Sequence, residues 1–427
     1  MRFVVSCCGG GASSRRWSRD RKPAASAAAA RGTGLAERVR ALVAAFGDAG
    51  HAFPAIALGQ ALAARGHEVT VQTWERWRDP VEAVGLAFAA AQEYQVFPPP
   101  PPGEQAGPAE AALAMLPLLD ELEPAIVVSD ILTLAPALAA ELRGVPEATL
   151  IPHLYPVHGP GLPFFGMGMG PPRTAVGRLA WRAAVPILET GLRIGRRELN
   201  ETRARIGLPP QERYHGGISE RLAIVATFPQ LEYPRRWPGE AIVTGPLEFE
   251  LPHPPIELPP GDQPLVLVAS STAQDPGCDL IRRCFDGLAD EGVRVIATTN
   301  GHRPERPIAV PGNGVLVDWL SYSQVMAAAD LVVCHGGHGT LARALALSRP
   351  LLVSPSVGDM AENAERVAWA GAGLTVPGRL RHAATIRWAV RALLEDDRYR
   401  RRAEQVGASD WARDGAERAA AAVEQVV

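Results

Sequence analysis

Three places in the chain hold residues whose types and spacing could do chemistry. The densest is Cys334-His335-Gly336-Gly337-His338-Gly339-Thr340, which separates a short apolar run (331–333) from a helix-like stretch (340–347). A glycine-rich turn from strand to helix lets backbone N–H groups close on an anion, and the helix dipole favours negative charge there. The pattern predicts a phosphate site. The second place is Gly47-Asp48-Ala49-Gly50-His51, between the apolar run 41–46 and a helix opening at Phe53-Pro54. A histidine at such a turn can face a cleft and take a proton near neutral pH; it can equally cap the helix or fill the turn. The third is Asp130, closing the apolar run 126–128 through Ser129. Its carboxylate could orient His51 and stabilise the protonated ring, or N-cap a helix over 131–142.

The elements around these residues read as α/β. Strand 41–46, helix 53–64 and strand 68–73 form a βαβ unit, which implies a parallel sheet with right-handed crossovers. Ligands of such sheets bind beyond the carboxyl ends of the strands, where His51 and Asp130 fall. His67, in the Arg65-Gly66-His67 turn, reads as a surface residue at a helix end. Residues 95–107 form a proline-rich exposed loop, followed by a helix over 109–119 and a strand over 148–151. The loop from Pro152 to Gly170 interleaves Phe, Met and Gly, with His153, Phe164, Phe165 and Met167 as candidate contacts to an apolar ligand. Packing of that loop on the core is the other reading. Residues 174–205 read as a helix whose arginines, Arg203 among them, form a solvated face. Strands follow over 222–227 and 241–244.

Seven prolines lie between residues 246 and 264, and this stretch marks the domain boundary. A second α/β series follows, with strands over 265–269, 293–298, 315–317, 331–333 and 351–353. Helices are expected over 278–288, 323–329 and 361–370, and the last 45 residues read as helical and charged. The expected organisation is a tail over 1–38, a first domain over 39–245, the linker, and a second domain over 265–427 whose last helix can pack back on the first. The tail reads as disordered, or as the product of a start codon placed too far upstream.

At 427 residues, 47% hydrophobic and 21% charged, with a net charge of −3, the chain suits two domains with large cores. That balance gives no general drive towards nucleic acid. No apolar stretch reaches the ~18 residues of a spanning helix. Five scattered cysteines form no metal-ligand spacing and point to reduced thiols in a cytoplasmic protein.

Taken together, the motifs resemble the family-1 UDP-glycosyltransferases, over residues 39–427. Gly50-His51-Ala52-Phe53-Pro54 is similar to the family's Gly-His-x-x-Pro turn, and Ser129-Asp130 to the position of its paired aspartate. Trp319, the His335–Thr340 run and Gly358-Asp359 resemble the donor signature. The resemblance implies the GT-B fold: two Rossmann-like domains facing across a cleft, with parallel sheets flanked by helices. It implies inverting transfer of a sugar from a UDP- or dTDP-linked donor to a small hydrophobic acceptor, with no metal and no cofactor. His51 would be the base and Asp130 its partner. Ser271, Thr272, Trp319, His335, Gly336, Gly337, Gly339, Thr340 and Asp359 would hold the donor, Trp319 by stacking on the base.

Three positions depart from the pattern. Arg343 stands where many members place a ribose-binding glutamate, and arginine cannot accept those hydrogen bonds. Met360 replaces a glutamine after the sugar-binding aspartate, and Tyr322 a base-contacting glutamine. Other readings are a lipid-acceptor glycosyltransferase of cell-envelope synthesis and a nucleotide-sugar-binding protein without transfer. A dinucleotide oxidoreductase lacks its G-x-G-x-x-G turn.

Overall fold

A computed structural model describes residues 38–93, 107–271, 275, 277–304, 306–356 and 358–427. The tail over 1–37, most of the proline loop and Thr272 lie outside the described residues.

The first half runs β1 (Arg40–Ala44), α1 (Ala49–Ala64), β2 (Glu68–Thr73), α2 (Arg78–Ala83), β3 (Ala87–Ala90), α3 (Pro108–Leu122), β4 (Ile126–Asp130), α4 (Leu134–Arg143), β5 (Glu147–Ile151), α5 (Ala175–Arg205), β6 (Ala223–Val225) and β7 (Ala241–Val243). The second half runs β8 (Leu265–Ala269), α6 (Asp279–Leu288), β9 (Arg294–Thr298), β10 (Gly314–Val317), α7 (Tyr322–Ala328), β11 (Leu331–Cys334), α8 (His338–Ala346), β12 (Leu351–Val353), α9 (Met360–Ala370), β13 (Gly373–Thr375), α10 (Ala383–Glu395), α11 (Asp397–Gly407) and α12 (Gly415–Val423).

The strands form two sheets, ordered β3-β2-β1-β4-β5-β6-β7 and β10-β9-β8-β11-β12-β13, parallel in every pairing. Runs such as Leu265–Ala269 and Ile126–Asp130 are buried at every residue, which is why they read as continuous apolar strands rather than alternating ones. In each sheet the strand order reverses once at its centre, between β1 and β4 and between β8 and β11. Those switch points open a crevice at the carboxyl edge, and all three chemistry-bearing places lie there.

The two halves share cores. Ala419, Ala420 and Val423 of α12 pack with Ile56 of α1 and Val71 of β2, so the end of the chain completes the first core. Leu154, Phe228 and Leu231 of the first half join the core under α8. Leu247 and Phe249 of the proline-rich segment are buried in the first core, and Ile256 and Leu258 pack against the second.

Some expectations are corrected. The helix after Asp130 starts at Leu134, not 131, because the Asp130 carboxylate is taken by tertiary partners and Thr133 stands at the cap. His67 is buried rather than exposed: α12 covers it and brings Glu424 Oε1 to 2.9 Å from its Nε2. Arg203 leaves the solvated face, 2% exposed, to pair with Glu141 at 2.6 and 2.7 Å and donate to the Pro209 carbonyl. Strands β3 and β13 were not anticipated; both are short, and β3 is only partly buried.

Candidate active site

The turn after β1 carries His51 in the first turn of α1, directly beside the end of β4. His51 Nδ1 lies 2.9 Å from Asp130 Oδ1, and the other carboxylate oxygen accepts the Phe46 N–H at 3.1 Å. Because a carboxylate only accepts, Nδ1 carries the proton of the neutral ring, and Nε2 keeps its lone pair. Burial pushes the His51 pKa down, but the Asp130 charge and hydrogen bond, helped by Asp359 and Asp48, raise it above the ordinary value. The Asp130 side chain is buried while 17% of the His51 side chain remains exposed.

From the second half, His335 follows β11 and Gly337 stands at the N-cap of α8. Gly336 sits at φ +96, and a Cβ there would meet the Met360 carbonyl at 2.9 Å. A Cβ on Gly337 would lie 2.5 Å from His335 Nε2, so the ring rests directly against the helix start. Gly336→Ala is expected to cost about 1–3 kcal/mol and to weaken nucleotide binding, read by chemical denaturation and by titration with nucleotide. His335 Nδ1 approaches the Ala269 carbonyl at 3.4 Å, and burial lowers its pKa. Asp359 accepts from Asn363 Nδ2 at 3.0 Å, and the same amide donates to the Gly336 carbonyl at 2.9 Å. One asparagine therefore ties the aspartate to the glycine turn.

The two halves meet around Asp359, whose charge acts on His51, His153 and His335. His153, buried after β5, stands edge-on to His51 at 6.1 Å between ring centres and stacks on Phe165 at 5.3 Å. Burial lowers the His153 pKa. Phe164 and Met167 are not part of this group: Phe164 stacks on His158 at 4.2 Å, and Met167 is 39% exposed at the surface. The loop carrying them closes on α9, where Gly168 (φ +60) donates to Glu362 at 3.2 Å.

Ser271 is buried after β8 and Trp319 half-buried after β10. Gly339 is exposed and Thr340 half-buried on the first turn of α8. Tyr322 bonds Asn300 at 2.9 Å, and Asn300 donates to the Ser270 carbonyl at 2.6 Å. Arg343 donates to the Phe249 carbonyl at 2.9 Å and lies 3.4 Å from Glu250 and 3.7 Å from Glu248. It clamps the proline-rich segment. His338, not singled out from the sequence, is buried beside Asn363 and the Ala226 carbonyl, with no hydrogen-bond partner on either nitrogen and a pKa pushed down to about 4 by burial. Its presence inside the glycine run was the available signal. Cys284 and Cys334 are buried thiols pushed up to about 12, and no group of three metal-ligating side chains occurs among the described residues.

Two sheets with crevices at their switch points, a histidine–aspartate pair and a glycine turn at a helix start define a GT-B architecture, and comparison with known proteins agrees. Residues 41–142 match the glycosyltransferase family 28 N-terminal domain, and residues 282–425 the erythromycin biosynthesis protein CIII-like C-terminal domain. The chain is 29% identical to 4'-demethylrebeccamycin synthase of Lentzea aerocolonigenes, covering 88% of this chain and 96% of that one. It superposes on the calicheamicin glycosyltransferase CalG4 with a TM-score of 0.69 at 23% identity, over 91% and 98% of the two chains. Against Streptomyces glycosyltransferase SsfS6 complexed with thymidine diphosphate the TM-score is 0.63 at 20% identity, over 91% and 100%. These matches make the chain a glycosyltransferase of the GT-B fold, similar to family-1 enzymes of the bacterial natural-product type. It is an enzyme acting on nucleotide sugars. No helix among the described residues is long and apolar enough to cross a membrane.

Proposed function

We propose that this enzyme transfers a sugar, with inversion at the anomeric carbon, from a dTDP- or UDP-linked donor to a hydroxyl of a small apolar acceptor. The observation that carries the reading is the 2.9 Å His51–Asp130 contact at the switch point of the first sheet, within the field of Asp359 from the second half. His51 Nε2 takes the acceptor's proton as its oxygen attacks the anomeric carbon, and Asp130 stabilises the imidazolium that forms. The bond from that carbon to the diphosphate breaks as the new one forms, on the opposite face.

Charge growing on the leaving diphosphate meets the start of α8, the backbone of Gly336, Gly337, Gly339 and Thr340, and His335. With Nδ1–H on the Ala269 carbonyl, neutral His335 offers only a lone pair at Nε2; the diphosphate draws a proton there and turns it into a donor. Trp319 stacks on the base, Ser271 and Thr272 add phosphate contacts, and Asp359 holds sugar hydroxyls. His153 and Phe165 line the acceptor side. The reading invokes no metal and no cofactor.

Arg343 cannot accept from ribose hydroxyls and is already held by Phe249, Glu248 and Glu250. This favours a dTDP donor, whose sugar lacks the 2'-hydroxyl. Thermal denaturation is expected to shift further with dTDP than with UDP at equal concentration, and the reverse order would reject that preference. The reaction itself is tested by following nucleotide release from an α-linked donor with an acceptor panel, with and without EDTA. A β-linked product by NMR supports the proposal, and an α-linked product overturns it.

A further inference from the structure

Helix α5 is 31 residues long, yet Arg203 near its end is its one buried residue. Along its first five turns the outward stripe is apolar. Val176 is 79% exposed, Leu179 69%, Ile187 75% and Ile194 54%, with Ala183 completing the helical spacing between them. Large apolar side chains this exposed, lined up on one helix face, mark an interaction surface rather than scattered surface residues.

Charge selects the partner. The chain carries a net charge of −3, yet residues 173–197 hold six arginines against one glutamate, Glu189. By helical spacing Arg182, Arg193 and Arg197 flank the apolar stripe along one side, where long side chains can keep their charge at a polar boundary while the stripe is buried. On the opposite, half-buried face of the helix Trp181 donates to the Leu162 carbonyl at 3.1 Å and contacts Phe164, which ties α5 to the loop over 152–170. That loop also carries the Phe165 that stacks on His153 next to His51.

We propose that α5 docks the enzyme on an anionic lipid surface, with the apolar stripe in the headgroup boundary and the flanking arginines on lipid phosphates. An interfacial helix needs this combination, an apolar face edged by arginine and no spanning length. A second copy of the chain fits less well, because a two-fold contact along this face would bring the arginines together while the nearby Glu189 and Glu201 are already engaged by Arg193 and Arg197. Docking of this kind would hold the loop over 152–170, tied to α5 through Trp181, near the phase into which an apolar acceptor partitions. The inference stands on the surface alone and is independent of the base assignment.

The test is flotation of the full chain with phosphatidylcholine vesicles, with and without about 30 mol% phosphatidylglycerol, alongside turnover of a water-soluble acceptor. Binding is expected only with phosphatidylglycerol, reversed by salt, and weakened about tenfold or more in both Ile187→Glu/Ile194→Glu and Arg182→Glu/Arg193→Glu, with soluble turnover unchanged. The proposal is overturned by absence of flotation, by flotation indifferent to both variants, or by light scattering that shows an oligomer which Ile187→Glu/Ile194→Glu dissolves while vesicles bind neither form.

Discussion

His51→Ala is expected to lower kcat by about two to four orders of magnitude while changing nucleotide binding little. The ring stands at the end of the first sheet, and the glycine turn that would take the diphosphate belongs to the second, so removing the imidazole removes the proposed base and leaves the glycine turn in place. Asp130→Asn should cost less in rate but change the pH profile. In the wild-type enzyme burial lowers the His51 pKa and Asp130 more than restores it, placing the value above 6.5. The base must be neutral, so turnover falls as the pH drops through that raised value. Without the carboxylate the raising charge is lost, and the acid limb of kcat against pH moves down. Stability runs the other way. A raised folded pKa means the charged His51–Asp130 pair stabilises the fold below 6.5, and that contribution disappears as the pH rises through the folded value. A His51→Ala enzyme retaining most of its turnover would show that the base lies elsewhere, with His153 the next ring to examine.

Much of this site was legible in the sequence because local chemistry dictated it. The apolar runs, the glycine turn before α8 and the proline near the start of α1 are short-range signals, and each has a single good structural solution. The pairing of His51 with Asp130 was only one of two readings, since a strand-end aspartate is also a ready helix cap. Tertiary context decided it through the Phe46 N–H. What the sequence could not show depends on partners far along the chain. His67 looked exposed because nothing near it is apolar enough to cover it, whereas the cover is α12, some 350 residues later, with Glu424 as its partner. Arg203 was lost among neighbouring arginines, and only Glu141, 62 residues earlier, separates it from them. Arg343 was read for a hydrogen bond it cannot make; its clamp on the proline-rich segment is invisible until the chain folds.

The second large effect is expected at Arg366, which holds the two halves together in a buried charge cluster. The residue is 4% exposed, and its guanidinium donates to Glu362 Oε1 at 2.9 Å, to the Leu231 carbonyl at 2.9 Å and to Glu232 Oε2 at 3.2 Å, and covers the Tyr233 ring at 3.6 Å. Glu232 in turn accepts the Tyr155 N–H at 2.7 Å, and Glu362 accepts that of Gly168. One arginine of α9 thus fixes both ends of the loop over 152–170 through two carboxylates. Arg366→Ala leaves Glu362 buried without its cation and Glu232 with only Arg235, 3.9 Å away, which costs about 3–5 kcal/mol and should show as a lowered denaturation midpoint. Burial already pushes the Glu362 pKa up, against the pull of Arg366. Losing the arginine raises it further, so the deficit should shrink as the pH falls and protonation removes the unpaired charge. Glu362→Gln/Arg366→Met should recover part of the loss, because it removes a cation and an anion together. If Arg366→Ala denatures with the wild-type midpoint at neutral pH, the cluster is not what holds the loop to α9. If stability is restored by the double variant but acceptor KM is not, the charges serve loop placement rather than folding.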